Sequence, residues 1–132
     1  MKYAALLTNN ADQVAAWEAM SPEEAAAARA EEVPQWEALF SELGASGVLG
    51  AGFELDSPKT ARTVRVRNGE TLVTDGPFAE LKEVLGGYYV FECDTIDEAC
   101  TWAAKIPAAR HGAIEVRPIY IDPNANGTGD AS

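Results

Sequence analysis

Asn68-Gly69, flanked by Thr63-Val64-Arg65-Val66-Arg67 and Glu70-Thr71-Leu72-Val73-Thr74, constrains this chain more than any other stretch. A type I′ turn needs positive φ at both central residues, which Asn and Gly tolerate, and its twist matches that of two paired strands. Val64 and Val66 alternate with Arg65 and Arg67, so the predicted hairpin has one apolar and one charged face. It stands mid-chain, and the segments on either side must be organised around it.

Before it, residues 2–8 read as a strand that is apolar on both faces and therefore central in a sheet. Asn9 to Asp12 reads as a turn, and Asp12 to Met20 as a short helix carrying Val14, Ala15 and Trp17. Ser21-Pro22-Glu23-Glu24 is a helix start: Ser21 caps, Pro22 suits the first helical position and Glu24 completes a capping box. Pro34 is predicted to kink or split the long helix that follows. Trp36, Leu39, Phe40 and Leu43 form its packing stripe, while Glu31, Glu32, Glu37 and Glu42 form its solvated face. Gly44 and Gly47 end it. Val48 to Leu55 is a second strand, and Asp56 to Lys59 a loop.

After the hairpin, Asp75-Gly76-Pro77-Phe78 is turn chemistry, and Glu80 to Val84 suits one helical turn. Gly87 to Asp94 is a strand with Tyr88, Val90 and Glu92 on one face and Tyr89, Phe91 and Cys93 on the other. Thr95-Ile96-Asp97-Glu98 is a second capping box, opening a helix whose stripe is Ile96, Ala99, Cys100, Ala103 and Ile106 and which stops at Pro107. Pro107 to Gly112 is a loop. Ala113 to Ile121 is the last strand, with Pro118 favouring an edge position. Residues 122–132 lack the apolar residues to pack and read as a flexible tail.

This order predicts an α+β fold: one domain over residues 1–121, a ferredoxin-like βαββαβ sandwich with an inserted β-hairpin and both helices on one sheet face. The other face carries Tyr, Phe, Arg and Glu with nothing in the chain to cover it, which predicts a homodimer packed sheet to sheet. Ten basic against 21 acidic residues give a formal charge of −11, which argues against nucleic acid and against anionic membranes as partners. Cys93 and Cys100 match no zinc spacing and are expected to be buried thiols. The short apolar N-terminal run reads as a strand, not a signal peptide, and no run approaches the roughly 20 apolar residues of a membrane span. A cytoplasmic location is the expectation.

Thr74-Asp75-Gly76-Pro77-Phe78-Ala79-Glu80-Leu81-Lys82-Glu83, followed by Gly86-Gly87-Tyr88-Tyr89, resembles the signature of the YCII-related proteins in their DGPF-motif branch. Asp97-Glu98-Ala99, Trp102-Ala103 and Pro107 resemble the family's second helix, and Glu115-Val116-Arg117-Pro118 its closing strand. The resemblance implies a dimeric α/β-barrel built from ferredoxin-like protomers. It places the chain near small cofactor-free enzymes that act on aromatic compounds, some relatives using a His–Asp pair in lyase-type chemistry. In many genomes genes of this branch lie beside those of extracytoplasmic-function sigma factors, so the resemblance also implies a non-catalytic regulatory or ligand-sensing partner as the alternative. The single histidine, His111, does not fall where the family's histidine stands.

The residues themselves leave alternatives open. Asp75 is either an Asx-turn cap or a general base at a cleft mouth. Glu80, Lys82 and Glu83 form either a surface ion cluster or, through Glu83, a partner for Arg117 inside the barrel. Glu115 and Arg117 form either a salt bridge at the dimer or an anion-recognising pair. Tyr89 and Phe91 either line an aromatic-substrate pocket or belong to the core. His111 is an acid–base candidate or an exposed loop residue. The working assignment is Asp75 and Glu83 as catalytic, with Arg117, Glu115, Lys82 and Tyr89 holding a small aromatic or carboxylic-acid ligand, no metal and no cofactor, in lyase- or isomerase-type proton transfer. A pocket of about 300 Å³ or more on which two of the charged groups converge would support it. Glu115 and Arg117 closing on each other without a cavity would remove most of that support.

Overall fold

The computed structural model describes residues 1–77 and 82–124. Strand β1 (Lys2–Asn10) leads directly into helix α1 (Ala11–Glu18), then α2 (Pro22–Ser46) and β2 (Leu49–Glu54). Strands β3 (Arg62–Arg67) and β4 (Glu70–Asp75) follow, then β5 (Glu83–Glu92), α3 (Ile96–Ala103) and β6 (Ala113–Pro118). Short 3-10 turns at Pro58–Thr60 and Pro107–Arg110 occupy two segments expected to be plain loops.

The main sheet has the order β2-β5-β1-β6 with every pairing antiparallel. The architecture is α+β and consistent with a ferredoxin-like fold. β1 is central, as its two apolar faces require, and β6, which ends on Pro118, lies at an edge. β3 and β4 pair only with each other, as a separate two-stranded sheet. Asn68 and Gly69 both have positive φ, the geometry of the type I′ turn read from that pair.

The core lies on one face of the main sheet. Tyr3, Ala5 and Leu7 of β1 and Phe91 of β5, with Cys93 just beyond that strand, meet Leu39 and Leu43 of α2 and Ala99 and Ala103 of α3. Residues directly opposite one another in a ladder share a face. The register therefore places Phe53, Tyr88, Leu6 and Glu115 in one row of the other face, and Ala51, Val90, Ala4 and Arg117 in the next.

Several local expectations are corrected. Asn9 and Asn10 belong to β1, and no separate turn intervenes, because Asn10 itself caps α1 by accepting the Asp12 N–H at 2.8 Å. Pro34 does not split α2, which runs unbroken through it; Gly44 also lies inside the helix, and Gly47 in the left-handed region ends it. Leu39 and Leu43 bury the face that continues past the proline, and that packing outweighs the lost backbone bond. Glu83 and Val84 are extended rather than helical, held by pairing with Asn10 and Asn9. The rest of that predicted turn, with Phe78 and Ala79 of the Asp-Gly-Pro-Phe motif, lies outside the described residues, as does the tail beyond Asn124. Cys93 is buried, but Cys100 is exposed, since it follows buried Ala99 around α3 on the solvent side.

Candidate functional site

The residues singled out from sequence do not meet in one protomer. Asp75 ends β4 with its side chain 95% exposed, and its carboxylate lies 3.7 Å from Arg62 Nε. The turn it opens is held instead by the backbone of Gly76: its N–H donates to Ala61 O at 2.8 Å, and its carbonyl accepts from Thr63 Oγ1 at 2.9 Å. Lys82 is exposed, and its carbonyl accepts the Ala11 N–H at 2.7 Å, joining the start of β5 to α1.

Glu83, Glu115 and Arg117 all fall on the uncovered sheet face, at different heights. Glu83 is in register with Asn10, Glu115 with Leu6 and Arg117 with Ala4. The span of β1 from Ala4 to Asn10 is about 20 Å at a rise of about 3.3 Å per residue, so Glu83 and Arg117 of one chain are not in contact. Arg117 and Glu115 instead form an ion pair along β6, both side chains more than half exposed.

Tyr89 stands on the helix side of the sheet. Its ring lies 6.0 Å from Trp36, 5.9 Å from Phe40 and 6.4 Å from Phe91, centroid to centroid. Gly52, directly opposite in β2, leaves room for it. Desolvation raises the Tyr89 pKa, and the charge of Glu54 raises it further.

Glu54 marks a cleft that sequence reading missed. A hollow of about 370 Å³ is lined by Arg29, Glu54, Leu55, Asp56 and Ser57, where the first half of α2 faces the end of β2. Arg29 holds both Glu54 oxygens, at 2.7 and 3.2 Å, and those bonds raise the guanidinium pKa. Ser57 Oγ donates to Glu18 of α1. Arg29 belongs to an Ala-rich stretch and Glu54 to a strand end; only an expectation that α2 runs unbroken across β2 would have paired them. None of Asp75, Glu83, Glu115 or Arg117 lines this cleft. It is deep enough for a small ligand by volume, and its walls combine one cation, two carboxylates and a hydroxyl.

His111 is tied to the helices. Its Nε2 lies 3.4 Å from Glu32 Oε1, and its ring packs edge-on to Trp17 with centroids 5.6 Å apart. Arg110 beside it donates to Gln35 at 2.7 Å. Among the described residues no group of three or more His, Cys, Asp or Glu side chains is placed to hold a metal ion. No helix among them is long and apolar enough to cross a membrane.

Comparison with known proteins adds a family but no chemistry. The family model described as the YCII-related domain matches residues 1–121. An uncharacterized protein of Rhizobium meliloti (strain 1021) is 35% identical over 123 residues, covering 92% of this chain and 94% of that protein.

Proposed function

We propose, from the premise that the chain belongs to the YCII-related domain family, that it is a small-molecule-binding, enzyme-like domain whose ligand enters the Arg29–Glu54–Ser57 cleft. The observation that carries this is the joining of a ligand-sized hollow to a half-buried tyrosine through Glu54. Tyr89, its pKa raised, holds its proton at neutral pH and serves as a donor, while the Glu54 carboxylate accepts. That pairing suits acid–base chemistry of the lyase or isomerase type, carried by the chain's own side chains. Glu18, Glu54 and Asp56 outnumber Arg29 around the cleft, so a neutral hydroxyl-bearing or cationic ligand fits better than a bare carboxylic acid. The aromatic group behind Glu54 favours a ligand with a ring.

Thermal denaturation with a panel of aromatic alcohols, amines and carboxylic acids tests this, because a ligand selective for the native state raises its stability by mass action. Stabilisation by a member of the first two classes, lost in Glu54→Gln, is expected. A panel in which only carboxylic acids stabilise, or a shift that survives Glu54→Gln unchanged, would remove the cleft from the proposal.

A second reading concerns the open face of the sheet, with Phe53 63% exposed on it. We propose that a second copy covers this face, closing the dimeric α/β-barrel with the β3–β4 hairpin as an insertion beside it. Glu83 and Arg117 lie level with Asn10 and Ala4, symmetrically about Leu7. A two-fold axis crossing β1 near Leu7 therefore sets each Glu83 opposite the partner's Arg117, which is the one arrangement in which these two residues share a site. Light scattering at micromolar concentration checks it: a monomer mass would end this reading and leave the cleft untouched.

A further inference from the structure

The hairpin poses a physical problem that the rest of the chain does not solve. A two-stranded ribbon is marginal in water unless a third strand or a packed surface covers it. Here neither β3 nor β4 joins the main sheet. Val64 lies opposite Val73, and Val66 opposite Thr71, so the three valines share one face. They are 61%, 55% and 59% exposed in the order Val64, Val73, Val66. The root of the hairpin is nevertheless fixed to its own chain by the paired bonds of Gly76 with Ala61 and Thr63. The ribbon is thus anchored at one end and bare along its apolar face.

We infer that the β3–β4 hairpin is an arm whose valine face grips a second copy of this chain. Two observations select that occupant. The first is charge. The arm carries Arg62, Arg65 and Arg67 against Glu70 and Asp75, a net-positive segment in a chain of formal charge −11. A second acidic body attracts such an arm, whereas the rest of the chain repels a nucleic acid. The second is continuity. The arm departs from β2, the edge strand whose Phe53 stands in the uncovered face beside Tyr88. Its root therefore borders the surface on which the sheet-to-sheet dimer rests, and the inference depends on that dimer. A two-fold axis makes the exchange reciprocal, each arm lying on the other body, and closes the assembly at two.

The experiment compares wild type, Val64→Asp/Val73→Asp, Phe53→Asp/Leu85→Asp and Thr74→Asp by light scattering across a dilution series, with circular dichroism to confirm the fold. All five positions are exposed in the single chain. Thr74 lies on the arginine-bearing face of the arm. The expected result is a wild-type dimer that Thr74→Asp preserves and that the double valine variant weakens about tenfold or more. An unweakened valine variant overturns the arm, and if Phe53→Asp/Leu85→Asp dissociates in the same series the sheet-to-sheet dimer still stands. A monomeric wild type overturns both. Should the valine variant lose its fold, hydrogen exchange on wild type decides. Amides of residues 62–75 whose protection rises with protein concentration support the arm, and protection independent of concentration overturns it.

Discussion

Gly52 and Tyr89 occupy one space: a Cβ built on Gly52 falls inside the contact distance of the Tyr89 ring. The two residues are opposite one another in the β2–β5 ladder. Because the ring is also held by Trp36 and Phe40 of α2, it cannot retreat without disturbing the helix. Gly52→Ala is therefore expected to destabilise the protein by about 1–3 kcal/mol through overpacking. Urea denaturation measures it, and Gly50→Ala is the comparison, since a Cβ there meets Val90 only at ordinary contact distances of 3.4 Å and beyond. Equal midpoints for the two variants would contradict the close approach.

Much of this fold was legible because several local signals agreed. The Asn68-Gly69 turn, the Ser21 and Thr95 caps and the apolar faces of β1 each specify their element without help from distant residues. The failures arose where tertiary packing outweighs local preference. α2 passes through Pro34 because Leu39 and Leu43 are buried beyond it, and Glu83-Val84 is extended because β1 pairs with it. The candidate site was less legible for a related reason. Face alternation put Glu115 and Arg117 on one side of the sheet, but only the register shows how far along β1 Glu83 lies from them. The Arg29–Glu54 contact joins residues on separate elements with no motif between them, so no spacing in the sequence announces it.

The α2 capping box gives a prediction in both stability and pH. Ser21 Oγ accepts the Glu24 N–H at 3.1 Å, and Glu24 Oε1 accepts the Ser21 N–H at 3.1 Å. Ser21→Ala is expected to cost about 1 kcal/mol. The bond from the Ser21 backbone, more than that from its hydroxyl, holds the Glu24 pKa below its ordinary value. A carboxylate with a lowered pKa in the folded state contributes stability that is present above its unfolded pKa and is lost as pH falls through the folded one. Wild type should thus lose more stability than Glu24→Gln between about pH 5 and about pH 3. Parallel stability curves for the two proteins over that window would rule out the box as a pH-dependent element.

The two cysteines should be kinetically distinct. Burial, and then the charge of Glu98, push the Cys93 thiol pKa up, while Cys100 is exposed on α3. Since the thiolate is the reactive species, an aromatic disulfide reagent at mildly alkaline pH should titrate one thiol quickly and the second only slowly, or on unfolding. Cys100→Ser should delete the fast phase. Two thiols reacting at one rate in the native protein would mean that the α3–β5 packing opens on the timescale of the reaction.

The Glu115–Arg117 pair distinguishes a free sheet face from a covered one. Both side chains are more than half exposed in the single chain, and they bond only along their own strand. An ion pair in that setting contributes about 1 kcal/mol or less. If a second copy covers the face, the same charges lose solvent, and removing one leaves the other without compensation, at a cost of about 3–5 kcal/mol. A double-mutant cycle on Glu115→Ala and Arg117→Ala, measured on dilute protein and again at concentrations where the dimer forms, separates the cases. The coupling is expected to be small in the dilute protein and to grow with association. Arg117→Ala alone should weaken the dimer more than the double variant does, because it leaves Glu115 facing the partner unpaired. A coupling that stays the same across the concentration range would place both residues in solvent at every stage and take the β6 edge of the sheet out of the interface.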